Sequence, residues 1–150
     1  MQNVRRLAVR MPDSPLQPGE RVVELAGVVQ SVAIFSGAVA ASLTSWFAKR
    51  SWAVSGISFV VGAFVGFLVG MAAARVFYRT ADGMTTIVRV GSSSLPATIR
   101  AGLAGGVLTA LVVAAGSVLF LSAPAQSAFT TSLVCGAVIG VVFAFLGSVL

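Results

Sequence analysis

The stretch SFVVGAFVGFLVGMAAA, residues 58–74, sets Ser58, Gly62, Gly66, Gly70 and Ala74 at every fourth position, with bulky apolar residues between them. On a helix this spacing gathers the small residues into one groove. Phe59, Phe64, Phe67 and Leu68 cover the rest of the surface, so the helix is apolar all round and belongs in lipid or inside a bundle. Lipid supplies no hydrophobic difference to drive helices together. Association there depends on close backbone approach, which small-xxx-small ridges permit. The stretch predicts helix packing and contains no reactive group.

The composition extends this reading to the whole chain. Of 150 residues, 57% are hydrophobic and 9% are charged, against about 25% charged in an ordinary soluble domain. So few charges cannot cover a water-soluble globule. Histidine is absent and Cys135 is the single cysteine, which leaves no His/Cys metal site, no internal disulfide and no imidazole ligand for haem. Cys135 reads as a small apolar filler. The carboxylates are Asp13, Glu20, Glu24, Asp82 and the chain terminus, too sparse an inventory for most acid–base enzymes. No Walker loop, zinc spacing or Ser/His/Asp set occurs. The Gly-xxx-Gly runs lie inside hydrophobic helices and not at strand-to-helix turns, so they are not dinucleotide fingerprints. No catalytic, cofactor or metal residue is therefore expected, and the chain reads as no enzyme. Bound lipid is compatible with the pattern. The formal charge of +6 sits at the ends of hydrophobic stretches, as on a membrane protein's flanks and unlike a nucleic-acid surface.

Read in order, residues 1–19 form a basic segment and a Pro-rich linker. Arg5, Arg6 and Arg10 stand among Val4, Leu7, Ala8 and Met11, a pattern of a solvated basic end or a short helix on an anionic lipid surface. Pro12, Pro15, Pro18 and Gly19 exclude regular helix in the linker. Residues 20–150 read as an all-α integral membrane domain of four transmembrane helices, at about 20–48, 54–77, 95–121 and 128–149, arranged as two hairpins.

In the first helix, Ala33, Gly37, Ala41 and Ser45 make a small ridge, and Glu24, Ser31 and Ser42 lie on an adjoining face. Glu24 is the one candidate ionisable site for proton coupling. The plainer reading makes it a helix-end carboxylate, favoured by the macrodipole and paired with Arg21. Trp46, Lys49, Arg50 and Trp52 mark a headgroup-level turn, and Arg75, Tyr78 and Arg79 anchor the other end of the second helix. Residues 80–94 read as a connector, with a turn at Asp82-Gly83, a β-branched run over 85–90, and Ser94 as a cap with Pro96 in the next first turn. The third helix repeats the small spacing at Gly102, Gly106, Ala110 and Ala114. The fourth does so at Ser132, Gly136, Gly140, Ala144 and Ser148. Residues 122–127 form the turn between them.

Arg5, Arg6, Arg10, Arg21, Arg75, Arg79, Arg89 and Arg100 flank one side of the four spans, with only Lys49 and Arg50 on the other. The positive-inside rule then places both termini and the central loop on one side, in a bacterial cytoplasmic or mitochondrial inner membrane. AGVVQSVAIFSGAVAASL from Ala26 is similar to AGLAGGVLTALVVAAGSVL from Ala101, and VGAFVG from Val61 to CGAVIG from Cys135. These matches suggest two copies of one hairpin in the same orientation.

The glycine-ridged layout, carried by Gly62, Gly66, Gly70, Gly102, Gly106, Gly136 and Gly140 over residues 26–148, resembles the mitochondrial inner-membrane presequence and carrier translocase family, which includes an accessory subunit of respiratory complex I. The resemblance implies a non-catalytic subunit of a translocase or respiratory complex. From the residues themselves, abundant packing ridges without reactive chemistry predict a structural or accessory subunit, with other integral membrane subunits and lipids as partners and no nucleic acid. The alternatives are a homo-oligomeric channel or small transporter, lined by Ser31, Ser42 and Ser45 or by the glycine grooves, and a lipid-organising protein acting through Arg5, Arg6 and Arg10.

Overall fold

A computed structural model describes residues 22–78, 87–89 and 94–149. The elements in order are β1 (Val22–Glu24), α1 (Leu25–Lys49), α2 (Trp52–Tyr78), β2 (Ile87–Arg89), α3 (Ser94–Leu121) and α4 (Ala125–Val149). All four helices are long and apolar enough to cross a membrane. The basic segment and linker, Arg79 and most of the central connector lie outside the described residues.

All four helix starts differ from the sequence expectation; α2 begins at Trp52, two residues before its expected start. The first helix begins at Leu25 and not at residue 20, because residues 22–24 form a strand antiparallel to β2, with Val22 opposite Arg89 and Glu24 opposite Ile87. The paired valines and the β-branched Ile87-Val88 suit an extended backbone, and this pairing outweighs continuation of the helix. Glu24 takes the N-cap place with an extended backbone and no side-chain capping bond. Among the described residues the fold is thus helical with one two-stranded ladder, and residues 87–89 are more than a plain connector. The fourth helix, α4, begins at Ala125 and not at residue 128. Pro124 ends the turn early, and its carbonyl accepts from Ala128 N–H at 2.9 Å and Ser127 Oγ at 2.9 Å. The α3 helix starts at Ser94 itself, one residue before its expected first turn.

Both tight turns use a left-handed residue that is not glycine. Arg50 has φ 52° and returns its N–H to the Trp46 carbonyl at 2.8 Å; Ser122 also has φ 52°, and Ala123 N–H reaches the Ser117 carbonyl at 3.3 Å. These backbone bonds satisfy carbonyls that a helix end would otherwise leave open.

The small residues set the packing. A Cβ on Gly37 would strike the Gly62 carbonyl, and one on Gly62 would strike the Gly37 carbonyl and lie 2.5 Å from Ala41 Cβ. Gly66 stands likewise against the Ala33 carbonyl. Along the other pair, Gly106 and Gly136 oppose one another through their carbonyls, as do Gly102 and Gly140, and Ala110 Cβ lies 3.0 Å from a Cβ placed on Gly136. In each case the glycine hydrogen in the Cβ position points at a facing carbonyl. Such Cα–H···O contacts contribute roughly 0.5–1 kcal/mol each.

The two pairs use one register. Ala33, Gly37 and Ala41 stand to Gly66 and Gly62 as Gly102, Gly106 and Ala110 stand to Gly140 and Gly136. This equates Gly37 with Gly106, whereas the sequence match from Ala26 and Ala101 would equate it with Val112. The α2–α4 correspondence, Gly62 with Gly136, keeps its expected alignment. The repeated feature is the helix-to-helix contact, not the residue string on α1 and α3.

The central helix is α1. It touches α2, α3 and α4, and half of its most apolar window is buried, compared with 28% for α2 and 22% for α4. Toward its N-terminus Leu25 and Val29 pack with Ala73 and Ala101; farther along, Ala40 and Ala41 pack with Val113. α2 leans on α1 and only grazes α3.

Gly66→Leu and Gly136→Leu should each lower unfolding stability in detergent by about 1–3 kcal/mol through overpacking. Gly116→Ala is the control, since a Cβ there meets nothing within 4 Å; it should leave thermal stability unchanged or raise it by about 0.4–1 kcal/mol. Equal melting temperatures for Gly66→Leu and the unaltered chain would show that the α1–α2 contact does not hold the fold.

Candidate functional site

The polar groups inside the bundle are hydroxyls. Ser36, Thr44, Ser45, Ser55, Thr98, Thr109, Ser117 and Ser132 are all buried, whereas Glu24, the only acid among the described residues, is exposed at the start of α1. A hydroxyl can return its proton to a nearby carbonyl, so it is the polar group least costly to enclose between apolar helices.

Most of these hydroxyls stand toward the end of the bundle that carries the α1–α2 turn. Ser42 Oγ and Ser55 Oγ are 2.7 Å apart, and Ser55 Oγ also donates to the Ser42 carbonyl at 3.0 Å. Ser45 Oγ donates to the same carbonyl at 2.9 Å. On another side of α1, Thr44 Oγ1 and Ser132 Oγ are 3.4 Å apart, a long contact that links α1 to α4. Phe35 and Phe143 stack across that interface with centroids 4.8 Å apart.

Two hydroxyls are different. Ser36 Oγ and Thr109 Oγ1 are fully enclosed and have no hydrogen-bond partner. Ser36 lies near the middle of α1, beside Gly37, and the Thr109 methyl is 3.1 Å from the Cβ position of Gly37. Both therefore sit at the level where α1, α2 and α3 come closest. An enclosed polar group without a partner costs roughly 1–3 kcal/mol, so among the described residues these two side-chain oxygens are energetically unfavourable.

Of the sequence-derived transport residues, Ser42 and Ser45 are joined at the Ser42 carbonyl, whereas Glu24 and Ser31 stand apart from them. Glu24, Ser31 and Ser42 share a stripe of α1, but Glu24 and Ser42 are 18 residues apart, about 27 Å along the axis. Ser31 is exposed, while Ser42 is engaged with Ser55. The Glu24–Arg21 pair lies outside the described residues. Ser58, grouped by sequence with the Gly62–Gly66–Gly70 ridge, is partly exposed and lines a groove between α2 and α3. The contact with α1 in that turn is made by Ser55.

At the turn, the Trp46 and Trp52 rings stack with centroids 4.2 Å apart and Trp52 is 79% exposed. Lys49 and Arg50 are exposed beside them, and the Arg50 guanidinium lies 5.8 Å from the Phe47 ring centroid. Arg75 is exposed and Tyr78 partly buried at the opposite end. Sequence reasoning missed Gly105, whose Cβ position is 2.6 Å from the Val29 carbonyl. The signal was the doublet Gly105-Gly106: neighbouring helical residues point about 100° apart, so one glycine admits α1 and the other admits α4.

Thr109→Val removes an unpartnered hydroxyl without changing shape, and should leave thermal stability unchanged or raise it. Ser55→Ala removes a bonded one and should lower stability by about 0.5–1.5 kcal/mol. The reverse order in unfolding titrations would mean that Thr109 holds an ordered water or solute.

No family model, curated protein or solved structure matches this chain, so the likeness to the inner-membrane translocase family rests on the glycine positions alone.

Proposed function

We propose that the chain is a non-catalytic structural or accessory subunit of a larger membrane protein complex, built as two transmembrane hairpins with both termini on one side of a bacterial cytoplasmic or mitochondrial inner membrane. The observation that carries this reading is how the helix surfaces are used. The glycines of α1, α2, α3 and α4 that permit backbone contact are spent between the chain's own helices, while the outward sides of α2 and α4 carry large apolar groups such as Phe64, Val60, Val138 and Phe145. A neighbour would therefore meet broad aromatic and β-branched faces, not the small-residue ridges.

A second reading, a homo-oligomeric channel or small transporter, is favoured by one specific feature: the unpartnered hydroxyls of Ser36 and Thr109 at mid-helix. A solute crossing between the hairpins would meet them.

Native mass spectrometry after gentle extraction from the source membrane separates the two. The accessory reading predicts this chain with different integral membrane proteins at fixed stoichiometry; a free monomer with no companion would sink it. A homo-oligomer combined with solute flux in liposomes, lost in Thr109→Val, would install the transport reading.

A further inference from the structure

We infer that the groove between α2 and α3 is a binding site for an acyl chain of an anionic phospholipid, in the leaflet at the Lys49–Arg50 end. The inference rests on the membrane reading above and is independent of the accessory role.

The groove exists because α2 and α3 both pack on α1 and hardly on one another. Ala41 of α1 forms its floor, and the lack of a side chain at Gly116 leaves its α3 wall open. The cavity measures about 410 Å³. It runs along α2 from Ile57 to Val65 and along α3 from Val112 to Leu121, which at 1.5 Å per residue is about 12–14 Å. Half of a hydrocarbon core about 30 Å thick is about 15 Å. The groove therefore fits one leaflet.

Charge distinguishes a lipid from a helix of a second copy, which in the same orientation would bring its own Lys49 and Arg50 to the same level. An unfilled apolar space would forfeit dispersion contacts along its whole lining.

The lining is apolar at both ends, with Val65, Val112 and Val113 at the deep end and Ile57, Phe120 and Leu121 at the turn end, and the hydroxyl-bearing Ser58 and Ser117 lie between. Just beyond that end stand the exposed Lys49 and Arg50 and the stacked indoles. The α1–α2 and α3–α4 connections contain no acid, since every Asp and Glu of the chain lies in residues 1–24 or at Asp82. An uncompensated pair of cations at headgroup level selects a negatively charged head.

The test begins with carbonate-resistant retention of the unaltered chain in membranes; release would overturn the membrane reading and this inference with it. The retained protein is then equilibrated with equal phosphatidylglycerol and phosphatidylcholine, re-extracted in mild detergent, and its bound lipids counted by native mass spectrometry. We expect one phosphatidylglycerol, favoured at least fivefold over phosphatidylcholine. Gly116→Phe, which projects into the groove, should cut bound lipid at least fivefold, and Val61→Phe serves the same purpose should the first variant not fold. Lys49→Gln with Arg50→Gln should keep a bound lipid and lose the headgroup preference. Equal retention of both lipids by the unaltered chain, undiminished lipid in the filled-groove variants, or a dimer that disappears with Gly116→Phe would each overturn the proposal.

Discussion

The structure depends on backbone-to-backbone contact at a few glycines near the middle of each helix pair. Where Gly37 meets Gly62 and Gly106 meets Gly136, each glycine faces the other's carbonyl. Helix interiors disfavour glycine by about 1 kcal/mol relative to alanine, so these positions weaken the isolated helices. The compensation is available only in the assembled bundle, where close approach gains dispersion and Cα–H···O contacts along neighbouring turns. The same contacts fix register, because sliding by one residue would turn a side chain into the facing backbone.

The central position of α1 follows from this economy. It presents Gly37 and Ala33 to α2, Val29 to Gly105 of α3, and Thr44 and Phe35 to α4. A helix that serves three neighbours needs small residues around much of its circumference. The run of alanine, glycine and serine from Ala33 to Ser45 provides them. α2 has small residues on one side only, so it can lean closely on α1 but not also on α3.

The helices were legible in the sequence because uninterrupted apolar runs bounded by charges and prolines leave few alternatives, and their observed limits differ by up to five residues. The early strand was not, since Val22 and Val23 are too few to show a period and their partner lies more than 60 residues away. The α1–α3 correspondence was misread for a different reason. In a stretch dominated by Gly, Ala and Val, string similarity accepts several offsets, whereas the packing accepts only the one that sets Gly106 where Gly37 stands. Of the candidate site, Trp46, Lys49, Arg50 and Trp52 were readable at a boundary, while the grouping of Glu24, Ser31 and Ser42 ignored their axial separation. The unpartnered hydroxyls of Ser36 and Thr109 were illegible, because pairing depends on which neighbour faces each residue and no helical wheel contains that.

Those two hydroxyls and the α2–α3 groove have a common origin in the shape of α1. Tight contact at Gly37 draws α2 and α3 onto α1 at mid-helix, enclosing Ser36 and Thr109 without a bonding partner. One turn farther along, Ala41 is still small, and beside it Val61 and Val65 of α2 and Val112, Val113 and Gly116 of α3 line an open gap. The bundle is therefore overclosed at its middle and underfilled toward the Lys49–Arg50 end. α2 and α3 are each held on α1 and hardly touch one another, so neither closes the gap. A mobile apolar chain from the surroundings fills it, since it adapts to the gap and exerts no leverage on the helices.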